Sequence, residues 1–102
     1  MNIIKECFDN LPMALCFFNR RGIACLVNRR MLWVSTQLLG SNVQTLSELE
    51  QALRSPPDTV AQLDTRPPTY RFPDGSILRF AQEITQAEDG RRYTQITAAD
   101  VT

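Results

Sequence analysis

A chain of 102 residues holds one domain with a single core and no room for a second. Its 43% hydrophobic and 22% charged content is that of an ordinary globular domain, and eleven basic side chains against eleven acidic ones argue against a nucleic-acid binder. The absence of histidine removes a histidine general base, a histidine haem ligand, a phospho-accepting histidine and most hydrolytic triads.

Along the chain, Ile3, Ile4, Cys7 and Phe8 form one helical stripe in an N-terminal helix within residues 1–10. Pro12 breaks it and pushes Leu11 toward an extended conformation. Met13 to Phe18 reads as a strand, Asn19-Arg20-Arg21-Gly22 as a turn, and Ile23 to Val27 as the returning strand. These strands are apolar on both faces, so the sheet needs cover on both sides there. From Asn28 the period becomes helical: Met31, Val34 and Leu38 form the stripe, Asn28 is the N-cap and Gly40 the stop. A second helix starts at the capping box Thr45-Leu46-Ser47-Glu48, buries Leu46, Leu49 and Leu53, and ends at Pro56-Pro57. Residues 54–68, with four prolines, read as a loop with one helical turn around Val60 to Leu63. Three strands follow, near 69–72, 76–86 and 92–99, joined at Pro73-Asp74-Gly75 and Glu88-Asp89-Gly90.

No apolar run approaches the roughly 20 residues of a membrane span, and the N-terminus has no signal-peptide pattern. Cys7, Cys16 and Cys25 are odd in number, lack metal-ligand spacing and sit among apolar residues, which fits a reducing cytoplasm. The pairs Arg20-Arg21, Arg29-Arg30 and Arg91-Arg92 each lie beside a turn or helix start and read as solvated surface. There is no Gly-rich phosphate loop, internal repeat or low-complexity tract.

Two strands, short helices and three strands make an α+β layout with one antiparallel sheet. The hairpin from Leu11-Pro12 through Asn19-Arg20-Arg21-Gly22 to Asn28, the turn Phe72-Pro73-Asp74-Gly75, the run Ile77 to Ile84, Asp89-Gly90, Tyr93 to Ala99 and the triplet Asp100-Val101-Thr102 together resemble a PAS domain. The chain is similar in particular to the PAS segment of sensor histidine kinases of some Gram-positive bacteria, in the runs Leu11 to Phe18, Val27 to Met31, Pro73-Asp74-Gly75 and Asp100-Val101-Thr102. The resemblance covers nearly the whole chain, with residues 11–102 as the core. It implies a five-stranded antiparallel sheet of order 2-1-5-4-3, short helices over a cavity on one face, and an N-terminal helix on the other face or against a second subunit. It also implies a sensory and dimerisation module cut from a longer protein, with Asp100 and Thr102 at the connection to an output helix.

Closing the first hairpin with a two-residue turn (Arg20-Arg21) or a four-residue loop (Asn19 to Gly22) sets Phe18 opposite Ile23 and Cys16 opposite Cys25. The sulfurs then become cross-strand neighbours, open to oxidants or a soft metal, or silent as small buried hydrophobes. In the PAS family this face looks into the cavity, which implies a lining of Cys16, Phe18, Cys25, Val27, Met31 and Leu53, holding a small apolar ligand or filled by its own side chains. The stretch Gly40 to Gln44 is similar to the flavin-binding branch, but the adduct-forming cysteine of that branch is here Val43 and its glutamine falls on Ala98. Flavin is therefore not expected, and haem is opposed by the missing histidine. If Asp89-Gly90 is a two-residue turn, Gln82, Gln95 and Thr97 share a face; a one-residue bulge would separate them. Trp33 falls off the apolar stripe of its helix and reads as an exposed aromatic.

The expectation is a cytoplasmic, non-enzymatic sensory module, first among candidates that of a two-component sensor histidine kinase, with a membrane tether elsewhere in the parent left open. It would form homodimers through Ile4, Phe8, Leu15 and Phe17, take no cofactor or metal, and touch neither nucleic acid nor membrane. A ligand-free dimerisation module with a filled core is the alternative, and a small enzyme a more distant one.

Overall fold

The computed structural model describes residues 3–102, and in it the apolar patterns become three helices and six strands. In chain order these are α1 (Ile3–Asp9), β1 (Ala14–Phe18), β2 (Ala24–Val27), α2 (Arg29–Leu39), α3 (Leu46–Arg54), β3 (Ala61–Thr65), β4 (Pro68–Arg71), β5 (Ile77–Gln86) and β6 (Arg92–Asp100). All strand pairings are antiparallel, in the order β2-β1-β6-β5-β4-β3. The expected order 2-1-5-4-3 is present, extended by one edge strand, so the fold is α+β with one antiparallel sheet, consistent with the PAS fold that the resemblance implies.

The added strand corrects the reading of residues 54–68 as a loop with a helical turn. β3 pairs with β4 from Ala61↔Arg71 to Thr65↔Pro68, across a turn whose Arg66–Pro67 peptide is cis. Every residue of β3 is exposed. An edge strand with both faces in water shows no alternation between apolar and polar residues, which is why pattern reading passes over it.

One face of the sheet carries the core. Ala14, Cys16 and Phe18 of β1, Leu78 and Phe80 of β5, and Ile96 and Ala98 of β6 are buried in alternation, as period two requires. Against them pack Met31, Val34 and Leu38 of α2 and Leu49 and Ala52 of α3. Both helices begin and end where the caps place them. Asn28 caps α2, whose far end turns through Gly40 at φ 77°; Thr45 and Glu48 form a reciprocal capping box on α3. Asn28 is fully buried and does more than cap. Its Oδ1 accepts from the backbone N–H of Met31 (2.9 Å) and of Leu15 (3.0 Å), while its Nδ2 donates to the Met13 carbonyl at 2.8 Å. This one side chain ties the start of α2 to the start of β1.

The hairpin turns revise two registers. In the first, Gly22 N–H donates to the Asn19 carbonyl and Asn19 N–H to the Ile23 carbonyl, both at 2.9 Å, with Gly22 at φ 75°. This is a three-residue loop closed by a left-handed glycine, neither the two- nor the four-residue form. A bulge follows, so Phe18 lies opposite Ala24 and Cys16 opposite Val27. Cys16 and Cys25 are therefore not cross-strand partners: Cys16 is buried, and Cys25 sits exposed at the bulge. The turn between β5 and β6 repeats the pattern, with Gly90 N–H donating to the Ala87 carbonyl and Ala87 N–H to the Arg91 carbonyl. Gln82 then pairs with Ile96, while Gln95 and Thr97 face Glu83 and Ala81. Gln82 lies on the helix side of the sheet and the other two on its outer side.

Trp33 is also corrected. It is half-buried, with its ring 5.7 Å from that of Phe72 and the Arg30 guanidinium 4.5 Å over its face.

Candidate functional site

Of the six residues expected to line a cavity, Cys16, Phe18 and Met31 are completely buried in contact with the core, and Val27 and Leu53 pack partly buried against it. Cys25 lies outside. The space beneath α2 is filled by these side chains. Burial pushes the Cys16 thiol up to about 12, so at neutral pH it remains protonated and unreactive. Val43 and Ala98, the positions that break the flavin pattern, are buried as well.

An open groove of about 620 Å³ lies farther along the same face, between α3 and the sheet. Leu53, Tyr70, Phe80 and Ile96 make its apolar wall, and Gln82 and Arg54 are among the polar groups at its rim. Strand alternation brings Phe80 and Gln82 to this side, and their β6 partners Ala98 and Ile96 share it. Tyr70 stands edge-on to Phe80 (5.4 Å, 89°) and its hydroxyl donates to the Leu53 carbonyl at 2.8 Å. Burial raises the Tyr70 phenol above its ordinary value. That hydrogen bond links β4 to the end of α3 and sets the groove's width. Tyr70 and Phe80 were not singled out from the sequence, although the spacing Leu78, Phe80, Gln82 carries the signal.

From the groove an aromatic row runs through the core. Phe80 stacks on Phe72 at 6.4 Å, Phe72 touches Trp33 at 5.7 Å, and Trp33 carries Arg30 on its face. Arg30 reaches the β4–β5 turn, 3.9 Å from the Asp74 carboxylate and 3.4 Å from the Ser76 hydroxyl. Asp74 accepts from both the backbone N–H (2.9 Å) and the hydroxyl (2.6 Å) of Ser76. Those bonds, the hydroxyl's first, hold its carboxyl below the usual range, and Arg30 lowers it further.

The two residues expected at the output connection stand beside this cluster. Asp100 accepts from the hydroxyl and from the backbone N–H of Thr102, and the Thr102 Oγ1 accepts from the Ile77 N–H at 3.0 Å. Val101 N–H donates to the Ile77 carbonyl at 2.8 Å, so the triplet continues the pairing of β6 with β5. The Asp100 carboxyl is held low by the Thr102 hydroxyl first, then the Thr102 N–H, with the Arg30 charge assisting. Arg30 thus pairs with Asp74 and lends its charge to Asp100 from farther off, where the sequence alone reads it as solvated surface.

The expected dimer residues occupy two places. Leu15 and Phe17 are half-buried on the outer side of the sheet, where Leu26 is 54% exposed beside Phe17. In α1, which buries none of its residues, Ile4 is 81% exposed and Phe8 is half-buried. Among the described residues no cluster of metal-binding side chains occurs, and no helix is long and apolar enough to cross a membrane.

No family model and no curated protein matches the chain. Among solved structures, the PAS domain of an HTR-like protein from Haloarcula marismortui is similar at 16% identity and a TM-score of 0.48, over 96% of this chain and 88% of that one.

Proposed function

We propose that this chain is a sensory and dimerisation PAS module of a cytoplasmic signal-transduction protein, with a two-component sensor histidine kinase as the first candidate parent. The groove under α3 receives a small, largely apolar ligand, and Arg30 with Asp74 and Asp100 passes the change to a following output domain. The observation that carries this reading is the unbroken row Tyr70–Phe80–Phe72–Trp33–Arg30, which joins the groove wall to the Asp100 cluster. A rotation of one ring in a close-packed row displaces the next, because such interiors yield by discrete repacking. Binding, not turnover, is the role we assign, since a chain without histidine or a phosphate loop is poorly equipped for catalysis.

The test fills the groove from its rim and reads the far end. In the isotope-labelled chain, Gln82→Trp should move the backbone amide signals of Ile77, Val101 and Thr102, and Phe72→Leu in the same background should abolish that movement while the fold persists. Shifts confined to the groove residues would overturn the relay.

The filled space under α2 favours a second reading, a ligand-free dimeriser. The half-exposed outer-face residues and the uncovered apolar stripe of α1 support self-association in either case. Sedimentation should show a dimer that Phe8→Asp or Phe17→Asp dissociates; a monomer at high concentration in the unaltered chain would exclude both dimer readings.

A further inference from the structure

The two arginine pairs at the other end of the sheet are brought together by strand register. β1 pairs with β6 from Ala14↔Ala98 to Phe18↔Thr94, so the turn that carries Arg20 leaves β1 near where β6 begins at Arg92, and the two residues line the same groove. The glycine-closed turns at Asn19 to Ile23 and Ala87 to Arg91 therefore lie side by side at one sheet end. A groove of about 590 Å³ opens there, bounded by Arg20, Arg21 and Arg92, by Tyr93, and by Leu46 and Ile84. An adjoining recess of about 380 Å³ shares Arg20, Arg21, Arg92 and Tyr93 and adds Arg91.

The basic charge at this place is only partly offset, by Glu50 on the groove wall and by Asp89, which lines a neighbouring recess with Arg20, Arg91 and Arg92. Among the described residues Arg20, Arg21 and Arg92 make no ion pair or side-chain hydrogen bond, whereas Arg91 is paired with Asp89 at 3.3 Å and Arg30 with Asp74. Glu50 is the one carboxylate on the groove wall, leaving three guanidinium groups against one acid. In a chain whose formal net charge is zero, gathering like charges this way costs stability through mutual repulsion. Beside them lies an apolar shelf: Ile84 is 72% exposed, and Leu46 and Tyr93 are half-buried.

We infer that this groove is a second binding site, for a small molecule that joins a phosphate-bearing group to a flat apolar body, as a nucleotide does. Guanidinium groups bind phosphate through paired N–H···O bonds, and several on rigid turns hold a di- or triphosphate without reorganising. The ring lies against Tyr93, Leu46 and Ile84. The volume is that of an ordinary small-ligand site. This site stands apart from the groove under α3, with Glu50 lining both, and does not depend on the sensory reading.

ATP without metal, and inorganic pyrophosphate, would each be titrated into the isotope-labelled 102-residue chain. Saturable amide shifts are expected at residues 19–22, 45–47 and 91–94, with ATP binding more tightly than pyrophosphate because only ATP engages the shelf. The double variant Arg20→Gln, Arg92→Gln should weaken ATP binding about tenfold or more and flatten its salt dependence. Its melting temperature should hold or rise slightly, because neither side chain has a partner to lose and their mutual repulsion is relieved. Shifts that do not saturate, or that persist equally in the double variant, would overturn the site. Equal affinity for ATP and pyrophosphate would remove the apolar subsite and with it the proposal. A single-stranded oligonucleotide binding more tightly per phosphate than ATP would replace it with a nucleic-acid surface.

Discussion

The β4–β5 turn at one end of the sheet and the β1–β2 and β5–β6 turns at the other have the same backbone construction, each closed by a glycine at positive φ, and they differ in what they do with arginine. At the Asp100 end, Arg30 lies on Trp33 and reaches Ser76 and Asp74, and its charge also lowers the Asp100 carboxyl. At the opposite end, Arg20, Arg21 and Arg92 converge with Glu50 alone on the groove wall to offset them. The first arrangement contributes to the fold, since its members share ring contacts and hydrogen bonds that a substitution removes. The second contributes nothing to the fold that the structure reveals. Side chains that stabilise nothing and repel one another are free to serve a ligand, and the contrast in stability effects between the two ends measures that freedom.

The sharpest difference should come from two asparagines in equivalent roles. Asn28 is fully buried and completes three backbone groups at the start of β1 and α2. Asn19 accepts from the N–H groups of Arg21 (2.9 Å) and Ile23 (3.0 Å) in a more exposed turn, where water can replace it. Asn28→Ala should cost about 2–4 kcal/mol, because it removes a helix cap and leaves buried groups unpaired. Asn19→Ala should cost about 1 kcal/mol. Urea unfolding of both variants decides the point, and equal losses would erase the distinction between the ends.

A smaller effect separates the arginines themselves. Arg30→Gln should lower stability by about 0.5–1.5 kcal/mol, mainly through the lost contact with Trp33 and the bond to Ser76. The 3.9 Å approach to Asp74 is long and partly in water, so it adds little. Arg21→Gln should stay within about 0.5 kcal/mol of the unaltered chain, or stabilise it by relieving repulsion. A loss at Arg21 as large as that at Arg30 would mean that the basic end is structural after all.

Local signals in the sequence proved accurate where they concern a few neighbouring residues. Asn28, Gly40 and the Thr45–Glu48 box placed both core helices, and the spacing of Met31, Val34 and Leu38 identified the stripe α2 buries. Turn length was harder. A loop of two, three or four residues around Asn19 to Gly22 differs by single hydrogen bonds, yet the three-residue form and its bulge moved Cys25 away from Cys16. The same one-residue change sent Gln82 into the groove and left Gln95 on the outer side. β3 was hidden because it buries nothing. The groove wall and the arginine cluster depend on residues far apart in sequence, Tyr70 with Leu53 and Arg20 with Arg92, and no local pattern reports those.

The smallest effect is one of pH, and it belongs to the Asp100 end. Asp74 is held low first by the Ser76 hydroxyl, and Asp100 first by that of Thr102, with Arg30 lowering both. A carboxyl whose folded value lies below its unfolded one binds protons more tightly in the unfolded chain. It therefore adds stability above the unfolded value of about 4, and that contribution fades as pH falls through the lower folded value. Both carboxylates are exposed, so solvent screening keeps the contribution small. The double variant Asp74→Asn, Asp100→Asn should melt slightly below the unaltered chain at pH 7 and show a shallower decline in acid, so that the two curves approach one another as pH falls below the ordinary carboxylate range. The variant retains side-chain oxygens able to accept from Ser76 and Thr102, so what it removes is the negative charge that strengthens those bonds and attracts Arg30. Curves that stay parallel from neutral pH into acid would show that neither carboxyl is held low by its Ser76 or Thr102 bonds or by Arg30 in the folded chain.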